Sequence, residues 1–402
     1  MKVLQINAVN YYGSTGRTTF EMNNELKKRG HQSYVAYSVG QRDYGDYLIG
    51  SKLDTLIHGL ASRILGKQGY FSFRATKRLI NYMSKIKPDI VHLRNLHANY
   101  INTNMLFKYL AKREIATVIT LHDCWFYTGK CTHYTLDNCY KWIEGCNNCP
   151  RLLKDNKSWF FDKTKVMWLD KRRYLNNIPR VAIIGVSDWI TKQAQMSFLS
   201  QKKIERIYNW IDIEVFKPME SNDLRQKLGI KEHYIILGVA SSWSRSKNID
   251  NWIELSKNLS DREVIVLVGR LEKGIELPRN IIHINRTESI NELAEIYSMS
   301  DVFINMVFEN SFGKVSAEAL SCGTPVITIN STANPELVTK GCGVIVEDIK
   351  IMTLINAIKE VKKNGKQYYK ETCRSFAIEN FNIHKRVTDY INIYDYLLKG
   401  KS

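Results

Sequence analysis

At 402 residues, with 44% hydrophobic and 24% charged side chains, the chain has the composition of a globular protein and more length than one ordinary core uses, so two domains of about 200 residues are expected. No apolar run reaches the roughly eighteen residues that a spanning helix needs, and the start, MKVLQINAVNYYGSTG, lacks the form of a secretory signal, so a cytoplasmic protein is expected. The net charge of +18 is lopsided: residues 1–200 hold 30 Lys+Arg against 14 Asp+Glu, a net +16, while residues 201–402 hold 28 against 26, a net +2.

Along the first half, Val3-Leu-Gln-Ile-Asn7 reads as a strand and Tyr11-Tyr-Gly-Ser-Thr-Gly-Arg17 as a glycine loop. A helical pattern runs from Thr18 to Arg29, Gln32 to Tyr37 returns as a strand, and Asp89–Leu93, Ala116–Leu121 and Val181–Val186 follow as further strands with helical stretches between them. Ser187-Asp188 is a good cap for the next helix. The pattern restarts after Ile207–Pro218, with strands expected at Tyr234–Ala240, Val264–Val268, Ile281–Ile284, Val302–Ile304 and Val326–Ile329, and helices including Asn291–Ser298 and Lys314–Ser321. Strands alternating with helices predict parallel sheets covered on both faces. The fold class is therefore α/β, two doubly wound Rossmann-like domains: 1–204 (with a Cys-rich loop at 128–150), a linker at 205–218, a second domain at 219–384, and a last helix at 385–402 packing back on the first domain.

Basic residues cluster at Arg63, Lys67, Arg74, Lys77, Arg78, Lys85 and Lys87, interleaved with Ile64, Leu65, Tyr70, Phe71 and Phe73, and again at Lys163, Lys165, Lys171, Arg172 and Arg173. Such a surface suits anionic lipid headgroups or is simply a solvated face. A nucleic-acid groove would also be basic, but no helix-turn-helix or RNA-recognition signature accompanies it.

The most informative stretch is Glu309 to Val326, ENSFGKVSAEALSCGTPV. It follows a buried strand with a Phe-Gly turn and an Ala-rich helix that carries Glu318. Backbone NH groups at such a helix start, together with the helix dipole, favour an anion, and a nearby carboxylate can accept from sugar hydroxyls. The block resembles the donor site of retaining GT-B glycosyltransferases of the family-4 type. Phe312-Gly313 and Glu318 match the family's Phe-Gly, four residues, Glu core.

That resemblance implies two domains facing across a cleft, a nucleotide-sugar donor, and transfer with retention and without a catalytic metal. Glu318 would bind ribose hydroxyls, and the backbone around Ser311, Gly313, Lys314 and Val315 would face the donor's phosphates or sugar. The family's first Glu falls in the slot of Asn310; either Glu309 reaches in through a one-residue bulge or Asn310 takes the contact. After the strand ending at Ala240, Lys247, followed by Asn248, matches the Lys of the family's Lys-Gly, and Lys247 would contact the diphosphate. Ser242 stands in the Arg position, with Arg245 as its substitute or as a solvated loop charge. Asn209-Trp-Ile-Asp212, Phe216 and Pro218 resemble the family's interdomain signature, with Trp210 in place of Gly, and Asn330–Glu336 resembles its Gly-Gly-x-x-Glu loop. No Asp-x-Asp motif occurs, the nearest being Asp212-Ile-Glu214, so protein cations are expected to hold the diphosphate.

In the first half, Leu121-His122-Asp123 ends a strand and resembles the family's His at the sugar site; His122 is expected to hydrogen-bond the transferred sugar. Gly13 and Gly16 permit close approach beside the nucleotide or acceptor, with Arg17 adding charge, and Arg94, Asn95 and His97 are further candidates. Cys131, Cys139, Cys146 and Cys149 lie within nineteen residues. In a cytoplasmic chain such thiols bind zinc more often than they form disulfides, and zinc would order a Thr128–Pro150 loop that otherwise has little apolar content; buried free thiols are the alternative. With the preceding His122-Asp-Cys-Trp-Phe-Tyr-Thr-Gly, this cluster resembles the colanic-acid-type subgroup. The expected activity is transfer from a UDP- or GDP-sugar to a growing glycan, lipid-linked through a polyprenyl diphosphate, with the protein peripheral on an anionic inner membrane face. A sugar-nucleotide epimerase of the same architecture and a basic, zinc-bearing nucleic-acid-binding protein are the alternatives.

Overall fold

The computed structural model describes residues 1–339 and 341–400, with the backbone alone at Lys247. The chain divides into two compact units, one formed by residues 1–209 with the segment from His384 onward, the other by residues 210–383. The first unit contains β1 (Lys2–Val9), α1 (Gly13–Lys28), β2 (Gln32–Val39), β3 (Tyr47–Leu48), α2 (Lys52–Leu65), α3 (Phe73–Ile86), β4 (Ile90–Leu93), α4 (Thr103–Lys112), β5 (Ala116–Leu121), α5 (Thr164–Asn176), β6 (Val181–Gly185), α6 (Asp188–Met196) and β7 (Lys203–Arg206). The second contains α7 (Asn222–Lys227), β8 (Tyr234–Trp243), α8 (Ile249–Ser256), β9 (Glu263–Leu271), β10 (Ile281–Ile284), α9 (Ile290–Met299), β11 (Val302–Asn305), α10 (Lys314–Ser321), β12 (Val326–Ile329), β13 (Gly343–Val346), α11 (Ile351–Asn364) and α12 (Lys366–Phe381). The last helix, α13 (Ile383–Lys399), belongs almost entirely to the first unit.

All strand pairs are parallel, in the orders β3-β2-β1-β4-β5-β6-β7 and β10-β9-β8-β11-β12-β13. Helices on both faces bury the inner strands, so β4, β5, β6, β11 and β12 are buried at every residue and read as continuous apolar runs. The strands that the sequence pattern misses, β3, β7 and β13, are edges. An edge strand is covered on fewer sides and needs no such run, as the polar Lys203–Arg206 illustrates. In each sheet the strand order reverses at one point, between β1 and β4 and between β8 and β11. Doubly wound sheets bind ligands at the carboxyl ends of the strands beside such a reversal.

Two local expectations change. The stretch Gly13–Arg17, expected as loop, forms the first turn of α1. Its glycines lower helix propensity, but a Cβ at Gly16 would sit 3.0 Å from Tyr11 N and 3.1 Å from Val9 Cγ2, so the helix packs onto the strand only through a glycine. The Thr128–Pro150 loop is not poor in packing groups. Tyr134 and Trp142 are buried, Trp142 meets Tyr127 at 4.9 Å and Tyr134 at 5.2 Å between centroids, and its carbonyl accepts from Trp168 Nε1. Two buried lysines tie this region down. Lys171 Nζ donates to the carbonyls of Trp125, Thr128 and Gly129, and Lys130 Nζ to those of Arg151, Leu152 and Asp155 among others. Burial pushes Lys171 down to about 7.

Helix α13 is locked to the first sheet by polar side chains. His92, fully buried, bonds Tyr394 OH at 2.8 Å and Thr120 Oγ1 at 2.7 Å, and Tyr390 OH meets the same Thr120 at 2.9 Å. Among the described residues no helix is long and apolar enough to cross a membrane.

Candidate active site

In the second unit the candidate residues follow β8 and β11, the two strands at the reversal of order. Gly313 caps α10 at φ +89°, and a Cβ there would approach Leu337 Cδ1 to 3.2 Å. The intrahelical bonds begin with Ser316 and Ala317 donating to Gly313 O, so the NH groups of Lys314 and Val315 form the open start of the helix, where the dipole favours an anion. Ser311 and Phe312 are buried just before it, Phe312 edge-on to Phe381 at 5.3 Å.

Glu318 lies on α10, 4% exposed, and its Oε2 accepts from Tyr297 OH at 3.1 Å. Asn310 is committed to the scaffold: its Nδ2 donates to Asn334 Oδ1 at 2.9 Å and its NH to Thr332 Oγ1 at 3.0 Å. Glu309, half-buried, is the neighbouring carboxylate. Asn248 occupies the left-handed region at φ +62°, which Asn tolerates better than most side-chain-bearing residues, and its Nδ2 donates to Met306 O at 3.0 Å. The loop after β8 is thereby clipped to the loop after β11. Lys247 precedes Asn248 in a short 3₁₀ turn, Arg245–Lys247; its side chain lies outside the described residues. Arg245 is 72% exposed and pairs its Nη1 with Asp250 Oδ1 at 3.1 Å.

In the first unit the residues converge after β1, β4 and β5. Gly13 opens α1 at φ +68°. Arg94, fully buried, donates from Nε to Gln5 Oε1 at 3.2 Å and from Nη1 to Thr18 Oγ1 at 3.4 Å; the same Nη1 lies 3.1 Å from His122 Nε2. Burial works against the guanidinium's charge and lowers its pKa, with Tyr390, Tyr394 and Glu21 opposing. Because a guanidinium only donates, Nε2 of His122 must accept, and the ring proton sits on Nδ1. His122 is thus held as the neutral Nδ1–H tautomer. Asn7 joins the elements: its Nδ2 donates to Val9 O and Thr19 Oγ1, and its Oδ1 accepts from Asn95 NH. His97 Nε2 meets Asp123 Oδ2 at 2.8 Å, and Asp123 Oδ1 accepts from Trp125 NH. Burial would lower the His97 pKa, but Asp123 outweighs it and raises it; burial likewise would raise Asp123, which His97 and the Trp125 NH hold below the usual range.

The four clustered cysteines line one cavity of about 20 Å³ with Thr128, Lys130 and Trp142, room for about one water-sized particle. The neighbouring Cys131 thiol lowers the Cys149 pKa, while burial raises Cys146 to about 12. Yet among the described residues no group of three or more His, Cys, Asp or Glu side chains is set as a metal site. The chemistry of the donors suits zinc; their present spacing does not close around it.

Gln5, Asn7 and Tyr297 escape a motif reading. The first two left a trace, as amides in an otherwise apolar strand; Tyr297 left none, since only the fold brings it to Glu318.

Two family models match the chain: Glycosyltransferase Family 4 over residues 15–215, half of its length, and Glycosyl transferases group 1 over residues 220–378. The chain belongs to glycosyltransferase family 4. Curated relatives of this family member include the putative colanic acid biosynthesis glycosyl transferase WcaC of Escherichia coli, 20% identical over 99% of this chain and 100% of the relative. Another is the N-acetyl-alpha-D-glucosaminyl L-malate synthase of Bacillus anthracis, 24% identical over 55% of this chain and 62% of the relative. A third is the E. coli UDP-Gal:alpha-D-GlcNAc-diphosphoundecaprenol alpha-1,3-galactosyltransferase, 28% identical over 49% of this chain and 55% of the relative. The matches therefore span the whole of one relative and less than two thirds of the other two. Among solved structures, sucrose-phosphate synthase from Thermosynechococcus elongatus superposes with a TM-score of 0.71 at 13% identity, covering 99% of both chains. Anabaena HepE in complex with UDP and glucose gives 0.66 at 15% identity, covering 98% of this chain and 100% of that one. At such identities these likenesses show the fold, two Rossmann-like domains of the GT-B glycosyltransferases.

Proposed function

We propose that this glycosyltransferase moves a hexosyl group from a UDP- or GDP-sugar to a growing surface glycan carried on a polyprenyl diphosphate, with retention of configuration and without a catalytic metal. The observation that supports it most is the open start of α10 at Gly313, beside the β8–β11 reversal, with Glu318 one and a half turns further on. The names of the relatives agree: a colanic acid enzyme, a galactosyltransferase acting on a diphosphoundecaprenol-linked sugar, and a neighbour holding UDP and glucose.

In this reading the bond from sugar C1 to the diphosphate oxygen breaks as the acceptor oxygen joins C1 on the same face, and the acceptor's proton passes to the departing diphosphate. Lys247 and the NH groups of Lys314 and Val315 stabilise the charge that develops there, already oriented before reaction. Glu318 accepts from the ribose hydroxyls. Glu309 takes the sugar-hydroxyl contact, because Asn310 is held by Asn334. His122, fixed by Arg94, donates from Nδ1 to the transferred sugar and does not act as a base.

Release of UDP or GDP from the corresponding sugars tests the reading. Glu318→Ala should lower kcat/KM by about 10- to 100-fold, the worth of a charged hydrogen bond; wild-type turnover by that variant would remove Glu318 from the donor site.

Cys131, Cys139, Cys146 and Cys149 would hold a structural zinc, which would brace the loop after β5 and take no part in transfer. Their common cavity supports this. Metal analysis of protein purified without added zinc should find near-stoichiometric metal, and its absence would rule the site out.

A further inference from the structure

Helix α2 is built inside out. Its buried positions are His58, Gly59 and Ser62, whereas Leu53, Leu56, Ile57, Leu60 and Ile64 are 64%, 66%, 58%, 47% and 37% exposed. These five recur at i, i+3, i+4, i+7 and i+11, which makes one continuous apolar stripe, and it faces outward.

The orientation is specified by polar anchors. His58 Nε2 accepts from Gly69 NH at 3.2 Å, so its Nδ1 carries the proton and donates to Ser72 Oγ at 2.8 Å. Burial lowers this ring's pKa to about 4 and keeps it neutral. A Ser51/Asp54 capping box starts the helix and Gly66, left-handed at φ +70°, ends it.

A second exposed apolar segment adjoins the end of α2. Trp159 NH donates to Arg63 O at 2.7 Å, and the Phe161 carbonyl lies where a Cβ on Gly66 would be, 2.2 Å away. Trp159, Phe160 and Phe161 are 46%, 68% and 49% exposed. Cations rim both segments: Arg63 lies over the Trp159 ring at 5.9 Å and Lys163 over Phe161 at 5.8 Å, with Lys52 and Lys157 exposed nearby in sequence.

We propose that the outward stripe of α2 and the Trp159–Phe161 loop form a docking surface that inserts into the headgroup boundary of an anionic phospholipid bilayer. Apolar side chains flanked by Lys and Arg, with Trp and Phe beside them, suit that boundary in polarity and charge. A second copy of the chain is a poorer occupant, because it would bring together two halves that each carry a net +16. The inference extends the reading of a lipid-linked acceptor, but the measurement uses neither donor nor acceptor, so either can fail alone.

The test is flotation of the full chain with vesicles of phosphatidylcholine, with and without phosphatidylglycerol, at low and high salt. Binding to the anionic vesicles is expected, weakened by salt. The double variant Leu56→Glu, Ile57→Glu should lose affinity by about tenfold or more, as should Trp159→Ser with Phe160→Ser. Circular dichroism should show both folded, and release of UDP or GDP by donor hydrolysis should be unchanged. Undiminished flotation of both folded variants would overturn the proposal. So would a concentration-dependent dimer of the parent, seen by sedimentation, that the same substitutions dissolve while flotation is unchanged.

Discussion

In the second unit, everything from Glu309 to Glu318 arrives on one continuous stretch of chain, and the backbone around Gly313 leaves the NH groups of Lys314 and Val315 at an open helix start. In the first unit, Gln5, Thr18, Arg94 and His122 come from four separate elements and are joined by a single buried guanidinium. The first kind of site depends on backbone conformation. The second depends on one side chain whose hydrogen bonds orient its neighbours, so it should be the more fragile under substitution.

The sharpest way to break that contrast is Arg94→Met. It would remove the Arg94 hydrogen bonds to Gln5 Oε1 and His122 Nε2, at about 1–3 kcal/mol for each buried bond lost. A loss of about 3 kcal/mol in urea unfolding is expected, together with reduced kcat. Arg94→Lys should recover only part, since an ammonium lacks the planar fork. A Met variant as stable and active as the parent would show that the guanidinium organises nothing.

Gly313→Ala probes the backbone-built site. An L-residue at φ +89° is strained by about 1–2 kcal/mol, so the variant should melt lower and show a smaller thermal shift with a UDP- or GDP-sugar. An unchanged ligand-induced shift would mean that the turn geometry is not needed for the donor.

The smallest expected effect is a pH window around His97 and Asp123. His97 has a raised pKa when folded, so its contribution is complete below its unfolded value of about 6.5 and disappears as pH rises through the folded value. Asp123 has a lowered pKa, so its contribution is complete above about 3.9 and disappears as pH falls through the folded value. Stability from the pair, on the order of 1 kcal/mol, should therefore be greatest between about pH 4 and 6.5. His97→Gln should flatten this part of the stability–pH curve, measured by denaturant titration; a curve identical to the parent's would remove the pair from the account.

Much of the fold was legible because buried parallel strands must be nearly all apolar, and β4, β5, β6, β11 and β12 are. The edges β3 and β7 were not, for want of that requirement. The Glu309–Glu318 block was legible for a related reason: a turn at positive φ needs glycine, and a helix start needs its own local residues. The inverted α2 was hidden in plain composition, since its apolar spacing is that of any core helix; which side faces inward depends on His58, Ser72 and Gly69 meeting across a bend.

Residue order alone determined the two α/β units, the family and the strand–glycine–helix block, because each rests on periodicity or on backbone conformations that only certain residues adopt. Tertiary structure alone decided the tautomer of His122, the partner of Glu318 and the outward face of α2. Those depend on buried polar groups from distant parts of the chain satisfying one another, and no local pattern records which of them will meet.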